Sequence, residues 1–260
     1  MRDKEARLNR ILHNGKAIII PMDHGVTTGP IKGLFDMNDI VKKVDEGGAS
    51  SVVLHKGIIK SLKIKPRCGI IMHLSGSTKL ALDPNNKVQV AGVEEAISLG
   101  ADAVSVHINI GGNESEPDML QILGKVSAEC ERLKVPLLAM MYPRGKNVKN
   151  SLDPEAIALV ARVGGELGAD IVKCSFTGDV DTFKKVVDGC PVPIVIAGGP
   201  KCETDKEVLE MVRSAMDAGA IGVSLGRNAF QHKNPTKMVR SIREIIVNNS
   251  TVEEAMKLLK

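Results

Sequence analysis

Short apolar runs recur along the chain, and each one ends in polar residues or glycine. In order they are KAIIIPMDHG (16–25), SSVVLHKG (50–57), GIIMHLSG (69–76), AVSVHINI (103–110), PLLAMMYPRG (136–145), DIVKCSFTGD (170–179), PIVIAGGP (193–200) and IGVSLGRN (221–228). Their β-branched content and length predict strands, and their nearly unbroken apolar character predicts burial on both faces. Between them the apolar positions change to a helical period. Helices are predicted near 37–47, over 93–99, within 115–134, after Asp153 with Pro154 at the first helical position, and over VDTFKKVVDG (180–189). Thr204 and Glu207 have the spacing of a capping box, followed by Val208, Leu209, Val212, Ala215 and Met216 on one helical face. The first dozen residues predict a short amphipathic helix with Leu8, Ile11 and Leu12 together. Two more helices close the chain, the last opened by Ser250 and Glu253. Residues 75–92 fit neither period, although DPNN is a turn and VQVAG a short apolar run.

A weak repeat runs through this pattern. EGGASSVVL, SLGADAVSV, ELGADIVKC and DAGAIGVSL each place a glycine at a helix end (Gly48, Gly100, Gly168, Gly219), then alanine, then an apolar strand. Glycine takes the left-handed helix stop without steric cost. Eight strands alternating with helices predict an α/β fold: a single (β/α)8 TIM barrel over residues 1–260, with a short N-terminal helix and an extra C-terminal one. A doubly wound open sheet is the alternative, but no G-x-G-x-x-G follows the first strand.

Composition narrows the class. Aromatics are 2% of the chain, with no Trp and one Tyr, so the core is aliphatic and rich in Met. The net charge of +4 is dispersed, with no basic arm or aromatic-interleaved patch, which argues against nucleic acid as a partner. The five cysteines form no C-x-x-C pair, which predicts reduced thiols in a cytoplasmic protein. The N-terminus is too charged for a signal peptide, and no apolar run reaches the ~18 residues of a membrane span.

Barrel active sites lie at the C-terminal ends of the strands, and here those ends are polar. They carry Asp23 and His24, His55 and Lys56, His73, His107 and Asn109, Tyr142 to Arg144, Lys173 and Ser175, Gly198-Gly199, and Gly226-Arg227. Lys173 stands inside an apolar strand. An ammonium taken out of water loses solvation, and a free amine condenses with a ketone to give a Schiff base. The bland alternative is a packed stem with the head in solvent. If Lys173 points inward, Ile171 and Ser175 do too, while Val172 and Cys174 face the helices. The same alternation groups Tyr142 with Met140 and Leu138, and Asp23 with Pro21 and Ile19. An aspartate, a phenol and an amine at one mouth can accept a proton, donate one and hold a carbon skeleton. The glycines after strands seven and eight, with Arg227, suit a phosphate.

The motifs PMDHGVTTGP, LLAMMYPRGK, DIVKCSFTGD, VIAGGPK and SLGRNAFQH, in this order, resemble the archaeal-type class I aldolases across nearly the whole chain. The resemblance implies a Schiff base on Lys173, proton donation by Tyr142 and proton acceptance by Asp23. It implies substrate contacts at His24, Gly25, Val26, Thr27, Pro143, Arg144, Cys174, Ser175, Gly198, Gly199, Gly226 and Arg227. It implies sugar-phosphate and aldehyde substrates, no cofactor, no metal and a homo-oligomer, with a decamer of pentameric rings as the form. The expected reaction is transaldolase-like: cleavage of 1-deoxy-D-threo-hexo-2,5-diulose 6-phosphate with transfer of a carbon fragment to L-aspartate semialdehyde, on an archaeal route to aromatic amino acids. Fructose-bisphosphate cleavage is the alternative. Two further readings stay open. One is a metal-dependent aldolase with His55, His73 and His107 as ligands. The other is a non-catalytic sugar-phosphate binding module.

Overall fold

The eight apolar runs form one closed, all-parallel barrel: β1 Ala17–Pro21, β2 Ser51–Leu54, β3 Gly69–His73, β4 Ala103–Ile110, β5 Leu137–Pro143, β6 Ile171–Ser175, β7 Ile194–Ala197 and β8 Gly222–Ser224. Neighbours in sequence are neighbours in the barrel, and β8 closes on β1 through the register Ala17↔Gly222 to Ile19↔Ser224. The computed structural model describes residues 3–199 and 201–260; the proline of the GGP turn lies outside the described residues. The fold is the (β/α)8 barrel expected from the pattern.

Strand alternation divides the core into two layers. Ala17, Ile19, Val53, Ile71, Ala103, Leu138, Met140, Ile171 and Val195 fill the barrel interior, and Val52, Val104, Ala139, Val172 and Ile196 pack outward against the helices. The N-terminal helix Lys4–Ile11 plugs the bottom: Ile11 is buried in the interior cluster, with Leu8 and Leu12 against it. The repeated glycines act as predicted. Gly48, Gly100, Gly168 and Gly219 have φ of 89°, 80°, 94° and 96°. After each, the alanine N–H donates to a carbonyl five residues back (Ala49 to Val44, Ala101 to Ala96, Ala169 to Gly164, Ala220 to Ala215), so one helix-stop geometry launches four strands.

Three details depart from the pattern. A short helix, Lys56–Ser61, follows β2 and takes up Lys56 and Gly57, the end of the second apolar run. Residues 75–92 leave β3 as a small antiparallel hairpin, Ser75–Gly76 against Val88–Gln89, with a loop between. The last helix, Val252–Lys257, is opened by a capping box of Thr251 and Glu254, one residue later than Ser250 and Glu253. The Ser250 hydroxyl instead bonds Glu244 at 3.1 Å, which removes it from capping.

Candidate active site

At the C-terminal mouth a cavity of about 540 Å³ collects side chains from around the barrel. Lys173 enters it from β6, where its backbone is held between Met140 of β5 and Val195 of β7. The side chain is almost wholly buried, at 6% exposure. Tyr142 stands above Met140 on β5, and Asp23 follows β1. The Tyr142 ring is buried in the interior cluster, tilted against His107 at 4.9 Å and covered by Arg144, whose Cζ lies 4.6 Å from the ring centre. Its hydroxyl makes no hydrogen bond to a described residue and is left to the cavity.

His24, Thr27, Arg144, Ser175, Gly198, Gly199, Gly226 and Arg227 line the same cavity. Four expected contacts do not. Cys174 faces the helices, fully buried in the outer layer as strand alternation requires, and burial pushes its thiol up. Pro143 ends β5 on the opposite parity from Tyr142. Gly25 and Val26 sit in the one-turn helix His24–Thr28, with Val26 turned to the Gly76–Val90 side of the hairpin.

Asp23 sits among imidazoles: its carboxylate oxygens lie 3.8 Å from His24 Nδ1 and 3.8 Å from His73 Nε2. Burial alone would raise its pKa, but His73, His24, Lys173 and His55 outweigh it and hold the carboxyl at about 2. The histidines move the other way. Burial pushes His73 down to about 4, and burial likewise lowers His24, His55 and His107. Near neutrality His73 is therefore an uncharged hydrogen-bonding group, 2.8 Å from Ser105 Oγ. His55 packs edge-on against it at 5.2 Å, while His107 sits beside Tyr142 with Nε2 3.0 Å from Asn109 Oδ1. Among the described residues no three His, Cys, Asp or Glu side chains converge as metal ligands, so the His55, His73 and His107 trio does not assemble the proposed centre.

The β7–β8 side of the mouth carries the glycines and the arginine expected to suit a phosphate. Arg227 Nη2 donates to Gly199 O at 2.8 Å, and Asn228 Nδ2 donates to Gly198 O at 3.0 Å. These bonds tie the glycine loop to the helix after β8. A Cβ at Gly226 would stand 2.7 Å from His24 Cε1, so only glycine lets the loop and His24 share the mouth. Sequence reasoning missed Ser224, Asn228, Thr28, Ser151, Leu152 and Lys87, which also line the cavity. Ser224 was findable: it alternates inward on β8, and its buried hydroxyl has no protein partner among the described residues.

The sequence profile described as DeoC/LacD family aldolase matches residues 17–232, from β1 to beyond the Arg227 loop. The chain belongs to this aldolase family. Two curated relatives carry the name 2-amino-3,7-dideoxy-D-threo-hept-6-ulosonate synthase. The Archaeoglobus fulgidus protein is 42% identical over 98% of this chain and 95% of its own, and the Halobacterium salinarum protein 41% over 97% and 95%. An archaeal fructose-1,6-bisphosphate aldolase, solved with its catalytic lysine covalently bound to the carbinolamine intermediate of the substrate, superposes with a TM-score of 0.88 at 33% identity, covering 94% of this chain and 99% of that one. This aldolase is thus a class I, Schiff-base enzyme built on the (β/α)8 barrel.

Proposed function

We propose that this aldolase is a transaldolase-like synthase that converts 1-deoxy-D-threo-hexo-2,5-diulose 6-phosphate and L-aspartate semialdehyde to 2-amino-3,7-dideoxy-D-threo-hept-6-ulosonate. The observation that carries the reading is the full-length identity of 41–42% to the two synthases. The cavity supports it with an amine, a phenol, a carboxylate and an anion loop around one opening.

The chemistry assigns the pieces. The Lys173 amine adds to the donor ketone at carbon 2, and the hydroxyl of the resulting carbinolamine leaves as water with a proton from Tyr142. The bond between carbons 3 and 4 then breaks as the carbon-4 hydroxyl gives its proton to ionised Asp23. The bond's electron pair moves into the iminium and leaves an enamine on Lys173. Carbons 4 to 6 depart as an aldehyde that carries the phosphate. The enamine attacks the aldehyde carbon of L-aspartate semialdehyde, the new alkoxide is protonated, and hydrolysis frees Lys173. The transferred piece is carbons 1 to 3, because the product's terminal methyl and adjacent ketone match the donor's. The interior position of Lys173, at 6% exposure, keeps the enamine away from bulk water.

Fructose-bisphosphate cleavage is the second reading, supported by the likeness to the archaeal aldolase structure. The reading extends to a cytoplasmic homo-oligomer, a decamer in its full form, which sedimentation tests. The deciding experiment supplies both substrate sets and follows products by mass. Formation of the amino-heptulosonate supports the synthase, and triose phosphates from fructose 1,6-bisphosphate alone replace it with the second reading. Borohydride reduction with peptide mapping tests the lysine: substrate trapped on any lysine other than Lys173 overturns the assignment.

A further inference from the structure

Across the mouth from Arg227, two cations face the cavity with no carboxylate in ion-pair range among the described residues. β4 and β5 stand opposite β8 in the closed barrel. Lys87 reaches the cavity from the hairpin segment after β3, and Arg144 from the end of β5. Lys87 is 7% exposed. Its Nζ donates to the carbonyl of Pro84 at 2.9 Å and to the hydroxyl of Ser77, both uncharged. That occupies two of the three ammonium protons and leaves one. Among the described residues no carboxylate lies within ion-pair distance of Lys87; Asp23 and Asp83 act on it only from further off. Arg144 lies over the Tyr142 ring and adds like charge to the same region.

The segment bearing Lys87 is fixed. Asn109 Nδ2, at the end of β4, donates to Asn85 O at 2.7 Å, and His107 holds Asn109 from the other side. The structure therefore spends hydrogen bonds to keep a lysine buried without a counter-ion, an arrangement that is costly unless an anion arrives. The donor phosphate already has a place at the glycine loop and Arg227. The acceptor aldehyde must meet the enamine close to Tyr142, whose ring Arg144 covers. It brings its own anion, a carboxylate three bonds from the reacting carbon.

We propose that Lys87 and Arg144 form the subsite for the carboxylate of the acceptor, so that the enzyme selects ω-aldehydes of carboxylic acids over neutral aldehydes. This rests on the transaldolase reading. The mouth then has two anion sites with separate duties: Arg227 and the glycine loop take the phosphate of the donor, and Lys87 with Arg144 take the carboxylate of the acceptor.

The test compares succinic semialdehyde with butyraldehyde, which has the same chain length and no charge, as acceptors for wild type and Lys87→Gln with the diulose phosphate as donor. Wild type should favour succinic semialdehyde in kcat/KM by roughly 10–100-fold, the loss of one hydrogen bond to a charged group. In Lys87→Gln that ratio should fall toward one, with the acceptor KM raised and the donor KM little changed. A hairpin merely disordered by the substitution lowers both acceptors alike and keeps the ratio, which overturns the subsite. A donor KM raised as much as the acceptor KM also overturns it. Donor cleavage by wild type is the control on the parent reading: its absence overturns both proposals, and its presence with an unchanged ratio overturns the subsite alone.

Discussion

Tyr142→Phe separates chemistry from architecture better than any other single change at this site. The ring is buried, at 8% exposure, and is held by Met140 below, His107 at its side and Arg144 above. Phenylalanine keeps those contacts. The hydroxyl has no protein partner among the described residues, so its removal strands no buried donor or acceptor. Stability should therefore stay within about 0.5 kcal/mol of wild type, as for changes that break no packing or hydrogen bond. Loss of one positioned acid–base group costs on the order of 10²–10⁴ in rate, which is about 2.7–5.4 kcal/mol of barrier at 1.36 kcal/mol per decade. Turnover should fall by that factor while the melting temperature holds. Rapid-quench borohydride trapping should find slower formation of the reducible adduct, and hence slower release of the phosphorylated aldehyde, with the donor still bound. Near-normal turnover in Tyr142→Phe, or a raised KM with the chemical rate unchanged, refutes the proton-donor role and makes the phenol a packing or binding group.

Lys173→Ala should abolish turnover and borohydride trapping while the circular dichroism spectrum persists, and wild-type activity should survive EDTA; loss with EDTA and recovery with zinc refutes the Schiff-base reading. Arg227→Ala should weaken phosphorylated donors by roughly 1.5–3 kcal/mol and leave unphosphorylated analogues nearly unaffected; an equal loss for both removes the phosphate role. His73 predicts a pH dependence of stability. Its pKa falls from 6.5 to about 4 on folding, so between those values the unfolded chain binds a proton that the folded one refuses. The stabilisation is full above 6.5 and drains as pH falls toward about 4. Urea titrations should show wild type losing roughly 2–3 kcal/mol between pH 7 and 4.5 through this residue, a loss that His73→Gln escapes. Asp23 acts lower, because its depressed carboxyl gives stability above about 3.8 that is lost toward about 2. Equal pH slopes in the two proteins would show that the His73 ring is not the source.

Where local chemistry and barrel geometry agree, the sequence was readable. The four glycine–alanine junctions announced strands because a left-handed stop must be paid at that point in any helix-to-strand turn. Alternation placed Lys173 and Tyr142 inward because a strand has only two sides. The same argument set Cys174 outward, against the contact that family resemblance implied for it. Lys87 was invisible for the opposite reason. It lies in an aperiodic loop, and only the fold of the Ser75–Gly76 and Val88–Gln89 hairpin carries it back over the mouth. Nor could one-dimensional spacing show that His55, His73 and His107 share a region without converging: His107 is engaged by Asn109 and tilted against Tyr142, and His73 is engaged by Ser105. The shift of the final cap from Ser250 to Thr251 turned on Glu244, a partner on the preceding helix.

The seam between β1 and β8 has a consequence for how the molecule is made. Asp23 follows the first strand and Arg227 the last, yet the two strands are hydrogen-bonded neighbours. The link continues outside the barrel, where Gln231 Nε2 donates to Lys32 O at 3.0 Å across 199 residues of chain. On the ribosome, then, β1 waits with an unpaired edge until nearly all of the chain has emerged. Closing so long a loop is slow, and open strand edges invite pairing between nascent chains. The early helix plug and the outer helices can shelter the first strands during that wait. The mouth cannot exist in part: Asp23 and Arg227 come together only when the ring shuts.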